Sequence, residues 1–154
     1  CTRLGTDYID IVYVHDIGSY THGINNAAHM DAFFGDGFER LIRLKEKGKI
    51  GTIGLSVNEN EICIEIINEH PLDVILLAGR LTLMDRSAEE KLVPMCGEAG
   101  TSLVLGGVFN SGILATGPTR GFVAQIGLRL ISPLPQTDLA YSHGTWYAKR
   151  CEAV

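Results

Sequence analysis

Four short runs of almost uninterrupted apolar residues, rich in β-branched side chains, constrain this chain more than any other feature. They occupy residues 8–14, 50–56, 73–78 and 102–105. Such runs are typical of strands buried on both faces of a parallel sheet, and the longer segments between them have room for helices. Strands that alternate with helices form βαβ units. The sequence therefore predicts an α/β fold.

The segments between the runs carry signals for helix starts and stops. A polar loop is predicted from residue 17 to about 29, followed by a helix with apolar residues at helical spacing that ends at Gly48. Two pairs have the spacing of a helix cap, Asn58 with Glu61 and Ser87 with Glu90. They predict one helix that ends before Pro71 and another that reaches Gly100.

Two α/β architectures compete, the doubly wound open sheet and the (β/α)₈ barrel. The dinucleotide-binding form of the open sheet has G-x-G-x-x-G after its first strand, whereas residues 15–19 read His-Asp-Ile-Gly-Ser. The barrel is therefore favoured. A barrel takes about 250 residues, and this chain of 154 residues begins with Cys1 rather than Met. We expect part of a barrel from a larger protein.

The composition is that of an ordinary globular protein, with 45% hydrophobic and 20% charged residues. A net charge of −5 without a basic stripe argues against a nucleic-acid partner. No stretch approaches the roughly 18 apolar residues of a membrane span, so we expect a cytoplasmic protein without a membrane partner. The four cysteines form no C-x-x-C pair, which favours reduced thiols over a metal site or disulfides.

Polar residues follow the ends of the predicted strands, where α/β proteins place their chemistry. They are His15, Asp16, Ser56, Asn58, Arg80, Thr82, Asn110 and Ser111. Taken singly, most have a simpler interpretation: Asn58 as a helix cap, Arg80 as a surface or loop charge, Asp16 as a turn residue. His15 fits a catalytic or a structural histidine equally well. The glycine-rich segment 106–112 fits either a tight turn or an anion-binding loop.

Two of these segments resemble a known family. Residues 3–16 resemble the fourth barrel strand of the aldo-keto reductases, with its catalytic histidine, and residues 44–56 resemble the fourth helix and fifth strand. Residues 54–59, 77–82 and 107–114 are similar to the sugar-oxidising branch of that family. The resemblance covers residues 1–118 and implies a partial (β/α)₈ barrel, about strands 4 to 7 with their helices.

The resemblance implies an oxidoreductase that uses NAD or NADP to oxidise an aldose at its anomeric carbon to the lactone. His15 matches the histidine that orients the substrate oxygen, and Ser56 matches the position that holds the nicotinamide carboxamide. Asn58 lies near the family's adjacent asparagine but is displaced by the inserted Val57. The loop that covers the cofactor pyrophosphate is matched by Gly107, Asn110, Ser111 and Leu114.

The family's catalytic Tyr, Lys and Asp belong to earlier strands, upstream of Cys1. We therefore expect the chain alone to be inactive, and the alternative is a non-catalytic, cofactor-binding module of the same family. Residues 119–154 show no periodicity and depart from the family, so a divergent, poorly ordered or frame-shifted tail is expected there. A partial barrel has two open sheet edges, which predicts self-association.

Overall fold

A computed structural model of the chain describes residues 2–110, 112, 114, 141–142 and 145–146. Four strands, β1 (Ile9–His15), β2 (Ile50–Val57), β3 (Val74–Ala78) and β4 (Ser102–Gly106), form one parallel sheet in the order β1-β2-β3-β4. Each strand lies beside the next one in sequence, as in a barrel, whereas a doubly wound sheet reverses its strand order. The predicted partial barrel is confirmed.

Helices connect the strands. Between β1 and β2 lie α1 (Ser19–His22), α2 (Asn26–Ala32) and α3 (Phe38–Glu46), with a 3₁₀ turn at Gly23–Asn25 and a π-helical turn at Phe33–Gly37. The helix α4 (Asn60–Glu69) connects β2 to β3, and α5 (Leu92–Ala99) connects β3 to β4. A 3₁₀ turn covers Thr2–Leu4, and a short antiparallel ladder pairs β5 (Tyr141–Ser142) with β6 (Thr145–Trp146). None of the described helices has the length and apolarity to cross a membrane.

The predicted loop at residues 17–29 is wrong, because this segment is mostly helical. Helix α2 contains three alanines, which favour helix, but it buries only Met30. A helix with one inward apolar position gives almost no hydrophobic periodicity, so the pattern that marks α3 is missing here.

Both predicted caps are also wrong, although their helices exist. The residue before α4 is Glu59 and the residue before α5 is Lys91, and neither side chain makes a capping hydrogen bond. Ser87 is engaged elsewhere, because its hydroxyl oxygen accepts a hydrogen bond from Asn60 Nδ2 at 2.9 Å. At the other end of α5, Gly100 adopts the left-handed conformation expected of a helix-terminating glycine.

The apolar core lies between the sheet and its helices. Ile53, Leu55, Ile75 and Leu77 of the two central strands are almost completely buried there, at 0 or 1% exposure. They pack with buried residues of α4 and α5. The expectation that β1 is buried on both faces is wrong, since Ile11 is 45% exposed. The reason is that β1 forms an edge of the described sheet.

Asp73, just before β3, joins three parts of the fold. Its carboxylate accepts hydrogen bonds from the backbone N–H of Ile53 at 2.8 Å and from Lys45 Nζ at 2.6 Å, and its carbonyl accepts one from Ser102. Burial alone would raise the pKa of Asp73, but the hydrogen bonds from Ile53 and Lys45 and the Lys45 charge outweigh it, so the pKa is lowered. The ionised carboxylate therefore stabilises the junction of α3, β2 and β4.

The substitution Asp73→Ala should lower the free energy of unfolding by about 1–3 kcal/mol, because it leaves the buried Ile53 N–H without its acceptor. A lowered pKa in the folded state means that the stabilisation is complete above the ordinary carboxyl pKa of about 4 and is lost as the pH falls below it. Urea unfolding of both proteins across this pH range measures the difference. The exposed pair Asp36–Arg40 supplies a control, because Asp36→Ala should change stability little.

Self-association through the open sheet edges remains a prediction. Within the described residues, β4 pairs only with β3, and Val104 on it is 44% exposed. We expect oligomers in sedimentation-velocity experiments, and Val104→Lys should shift them toward monomer because an edge lysine opposes strand pairing. Ile24→Lys, at an exposed position off the sheet, should leave the distribution unchanged. A wild-type chain that stays monomeric at high concentration would contradict this expectation.

Candidate functional site

The strand register brings the two predicted residues His15 and Ser56 together. His15 pairs with Ser56, Ser56 with Leu76, and Leu76 with Val104. Residues paired across a parallel sheet point to the same face, so these four side chains form one row near the carboxyl ends of the strands. In a barrel this edge carries the active site. The row is the centre of the candidate site.

His15 is accessible, and its ring is held from one side. Its side chain is 68% exposed, and Nδ1 lies 3.0 Å from Oδ2 of Asp16. Asp16 is more than the turn residue that the sequence indicates, since it adopts the left-handed conformation with φ 53° and its N–H donates to the Ser56 carbonyl. The imidazole therefore has one nitrogen beside a carboxylate and the other free to face a ligand.

Arg80 fixes the loops around Ser56 and Asn58. Ser56 is buried, whereas Asn58 is half-buried and its carbonyl accepts a hydrogen bond from Arg80 Nε at 2.7 Å. Arg80 also pairs with Asp85 at 3.3 Å and lies 5.9 Å from the centre of the Tyr20 ring. The prediction of a surface charge is wrong for Arg80, because the loops after β1, β2 and β3 converge on its guanidinium.

Asp85 is the ionised partner in this arrangement. Burial alone would raise the pKa of Asp85, but hydrogen bonds from Ser87 and Arg80 and the Arg80 charge lower it. Its carboxylate accepts from the N–H of Ser87 at 3.0 Å, and Thr82 donates its N–H to the Asp85 carbonyl at 2.7 Å. The loop after β3 is therefore tied to the loop after β2 through one buried ion pair.

The turn after β4 holds the remaining predicted residues. Gly107 and Asn110 both have positive φ, 64° and 49°, and the N–H of Asn110 donates to the Gly107 carbonyl at 2.9 Å. Asn110 is 7% exposed, and its Oδ1 finds no hydrogen-bond partner among the described residues. A buried amide oxygen without a partner is costly, so a ligand that donates a hydrogen bond would stabilise this turn.

Leu114 lies on the outer side of the same turn. Its N–H donates to the Phe109 carbonyl, and its side chain lines an apolar cavity of about 480 Å³ together with Leu81 and Val108. The predicted site residue Ser111 lies outside the described residues. The structure therefore brings Gly107, Asn110 and Leu114 together in one turn.

Glu59 is a contributor that the sequence does not single out. Its carboxylate accepts hydrogen bonds from the Tyr20 N–H at 2.8 Å and the Ser19 hydroxyl at 3.1 Å, which ties the loop after β2 to the start of α1. Gly18 has to be a glycine here, because a β-carbon would overlap the Glu59 carboxylate. The contact joins positions far apart in sequence, so no local motif could reveal it.

The described residues suit a nicotinamide cofactor better than a metal ion. Within the described part of the chain, no group of three or more His, Cys, Asp or Glu side chains is placed to hold a metal. The turn after β4 offers the unpartnered Asn110 amide oxygen and a glycine with an open left-handed backbone, and Ser56 provides a hydroxyl one register row from His15. Such polar groups at the strand ends fit the amide, ribose and phosphate groups of a dinucleotide.

Comparisons with known proteins agree with this geometry. The model of the Aldo/keto reductase family matches residues 1–125. A pyridoxal 4-dehydrogenase of Microbacterium luteolum is 46% identical over 114 residues, which are 73% of this chain and 33% of the relative. A D-threo-aldose 1-dehydrogenase of a Pseudomonas species is 33% identical over 113 residues, 73% of this chain and 32% of the relative.

A solved aldo-keto reductase of Bacillus halodurans, in its apo form, is 27% identical, with a TM-score of 0.57 over 77% of this chain and 37% of that one. The chain spans about a third of the length of the curated relatives. The family match covers most of the chain, and the four strands follow the barrel order. The chain therefore belongs to the aldo/keto reductase family.

Proposed function

We propose that the protein to which this chain belongs is an NAD- or NADP-dependent dehydrogenase that oxidises an aldose at its anomeric carbon to the lactone. The observation that carries the proposal is the pairing of His15 with Ser56 at the carboxyl ends of β1 and β2, with the turn of Gly107 and Asn110 after β4. The two curated relatives are both named as dehydrogenases, which favours oxidation over reduction.

The relatives also widen the substrate class. An aldose and pyridoxal share one chemical feature, because each carries an aldehyde and a hydroxyl placed to close into a cyclic hemiacetal in water. Removal of hydride from the hemiacetal carbon and of the hydroxyl proton gives a lactone. An aldose is the proposed substrate and pyridoxal is the second candidate, favoured by the 46% identity to the pyridoxal 4-dehydrogenase.

Each predicted residue has a role in this proposal. The bound nicotinamide would supply the hydride acceptor. His15 orients the substrate oxygen, Ser56 and Asn58 hold the carboxamide side of the cofactor, and the turn of Gly107, Asn110, Ser111 and Leu114 holds the pyrophosphate. Arg80 and Asp85 keep the loops after β2 and β3 in place around these residues.

The alternative is a non-catalytic, cofactor-binding module of the same family. It shares the fold and the turn after β4, so the described residues serve both proposals equally. The residues that distinguish them are the family's catalytic Tyr and Lys on earlier strands. A longer reading frame with Tyr and Lys at the ends of those strands favours the dehydrogenase, and their replacement favours the module.

Binding of the cofactor to the turn after β4 can be tested on the chain itself. We expect NADH or NADPH fluorescence to report binding and Asn110→Asp to weaken it at least tenfold, about 1.4 kcal/mol. The reason is that a carboxylate would stand beside the pyrophosphate, while aspartate still tolerates the positive φ. Asn68→Asp makes the same change at an exposed position of α4 and should leave the affinity unchanged. Equal loss in both variants would argue against this turn as the site.

Turnover separates binding from catalysis. The 154-residue chain should bind cofactor yet reduce none of it with an aldose or with pyridoxal, because the family's proton-transferring tyrosine matches no position of this sequence. Absorbance of the reduced nicotinamide over time measures this, with a complete aldose dehydrogenase as the positive control. Steady reduction that disappears in His15→Ala would show that the chain is sufficient for the chemistry and would overturn this expectation.

A further inference from the structure

We infer that Asp16 is a positioning residue, which holds His15 in the tautomer with its proton on Nδ1 and leaves Nε2 as a hydrogen-bond acceptor for a substrate hydroxyl. The inference deepens the proposed function and rests on it for the identity of the group that meets Nε2. Its starting observation is the distance of 3.0 Å between His15 Nδ1 and Asp16 Oδ2.

The tautomer follows from the hydrogen-bonding capacity of the two side chains. A neutral imidazole carries one proton, on one ring nitrogen, and a lone pair on the other. An ionised carboxylate can only accept, so the ring nitrogen that lies beside Asp16 has to be the donor. The proton is therefore on Nδ1, and the lone pair of Nε2 points away from Asp16.

The backbone keeps this carboxylate at the ring. Asp16 follows the last residue of β1 and has φ 53°, a left-handed conformation that aspartate adopts more readily than most residues. Its N–H donates to the Ser56 carbonyl at 2.9 Å, which fixes the turn to β2. His15 itself is paired in register with Ser56. Both partners are thus anchored on the same neighbouring strand, and the pairing does not depend on a free loop.

Exposure supports a role toward a ligand. The Asp16 side chain is 32% exposed and the His15 side chain is 68% exposed, although His15 ends a strand in the middle of the row that carries Ser56. A carboxylate that served only to anchor the ring in the core would have a buried imidazole beside it. Here the ring is oriented and yet open on its far side, as a substrate-binding histidine requires.

The tautomer selects between two substrate groups. A bare Nε2 accepts a hydrogen bond from a hydroxyl and has nothing to donate to a carbonyl oxygen. A cyclic hemiacetal presents a hydroxyl on the carbon to be oxidised, so the neutral His15–Asp16 pair favours the alcohol side of the reaction. A carbonyl substrate would need a proton on Nε2. Asp16 therefore biases this site toward oxidation of hemiacetals.

The ¹⁵N shifts of the ring nitrogens report the tautomer directly. We would record them on the ¹⁵N-labelled 154-residue chain at about pH 8.5, two pH units above the ordinary imidazole pKa of about 6.5, so that the ring is neutral. His15→Gln identifies the signals of this residue among the five histidines. Asp16→Gly removes the carboxylate and tolerates the positive φ. Asp31→Asn removes one charge at an exposed position of α2 and serves as the control.

The expected result is a protonated Nδ1 and a bare Nε2 in the wild type and in Asp31→Asn. In Asp16→Gly the dominant tautomer should reverse to Nε2–H, the form that free histidine favours. A wild-type ring with its proton mainly on Nε2 overturns the inference, even if the glycine variant does not fold, and so does a folded glycine variant that keeps Nδ1–H. No cofactor or substrate is present, so a failure of the proposed dehydrogenase function shows separately, as a loss of cofactor binding.

Discussion

The in-register parallel pairing of β1 to β4 is the constraint on which the rest of the structure depends. Because side chains alternate between the two faces of each strand, a slip of one residue between β1 and β2 would move His15 away from Ser56 and expose the apolar residues that pack on the helices. The buried residues Leu55 and Ile75, paired across β2 and β3, hold the central register by hydrophobic burial. The site therefore inherits its geometry from the core.

Polar contacts then fix the loops that leave the carboxyl ends of the strands. Glu59 ties the start of α1 to the loop after β2, and Arg80 ties that loop to the one after β3. On the opposite edge of the sheet, Asp73 joins β2, β4 and α3. The edge with Asp73 has its hydrogen bonds satisfied internally, whereas the edge with His15 and Asn110 leaves polar atoms open to a ligand. This difference is what marks one edge as the functional one.

The sequence predicts the strands well and the polar connections poorly. Each buried run of β-branched residues was sufficient to locate a strand, since burial on a pleated surface is a local property of the pattern. The caps at Asn58 and Ser87 failed because those residues are governed by partners distant in sequence, Arg80 and Asn60. Likewise, His15 and Ser56 could be named as site residues from a family resemblance, but the contact of His15 with Asp16 follows only from the backbone conformation.

The claim that the carboxyl ends of the strands bind a nicotinamide cofactor is tested most directly by amide chemical-shift mapping. The ¹⁵N-labelled chain would be titrated with NADP⁺ and, separately, with NAD⁺. The account predicts shifts for the amides that follow the strands, those of Asp16, Val57 and Val108, and none for Ile9, Ile50 and Val74, which begin strands. Shifts confined to the beginnings of the strands, or no shifts with either dinucleotide, would contradict it.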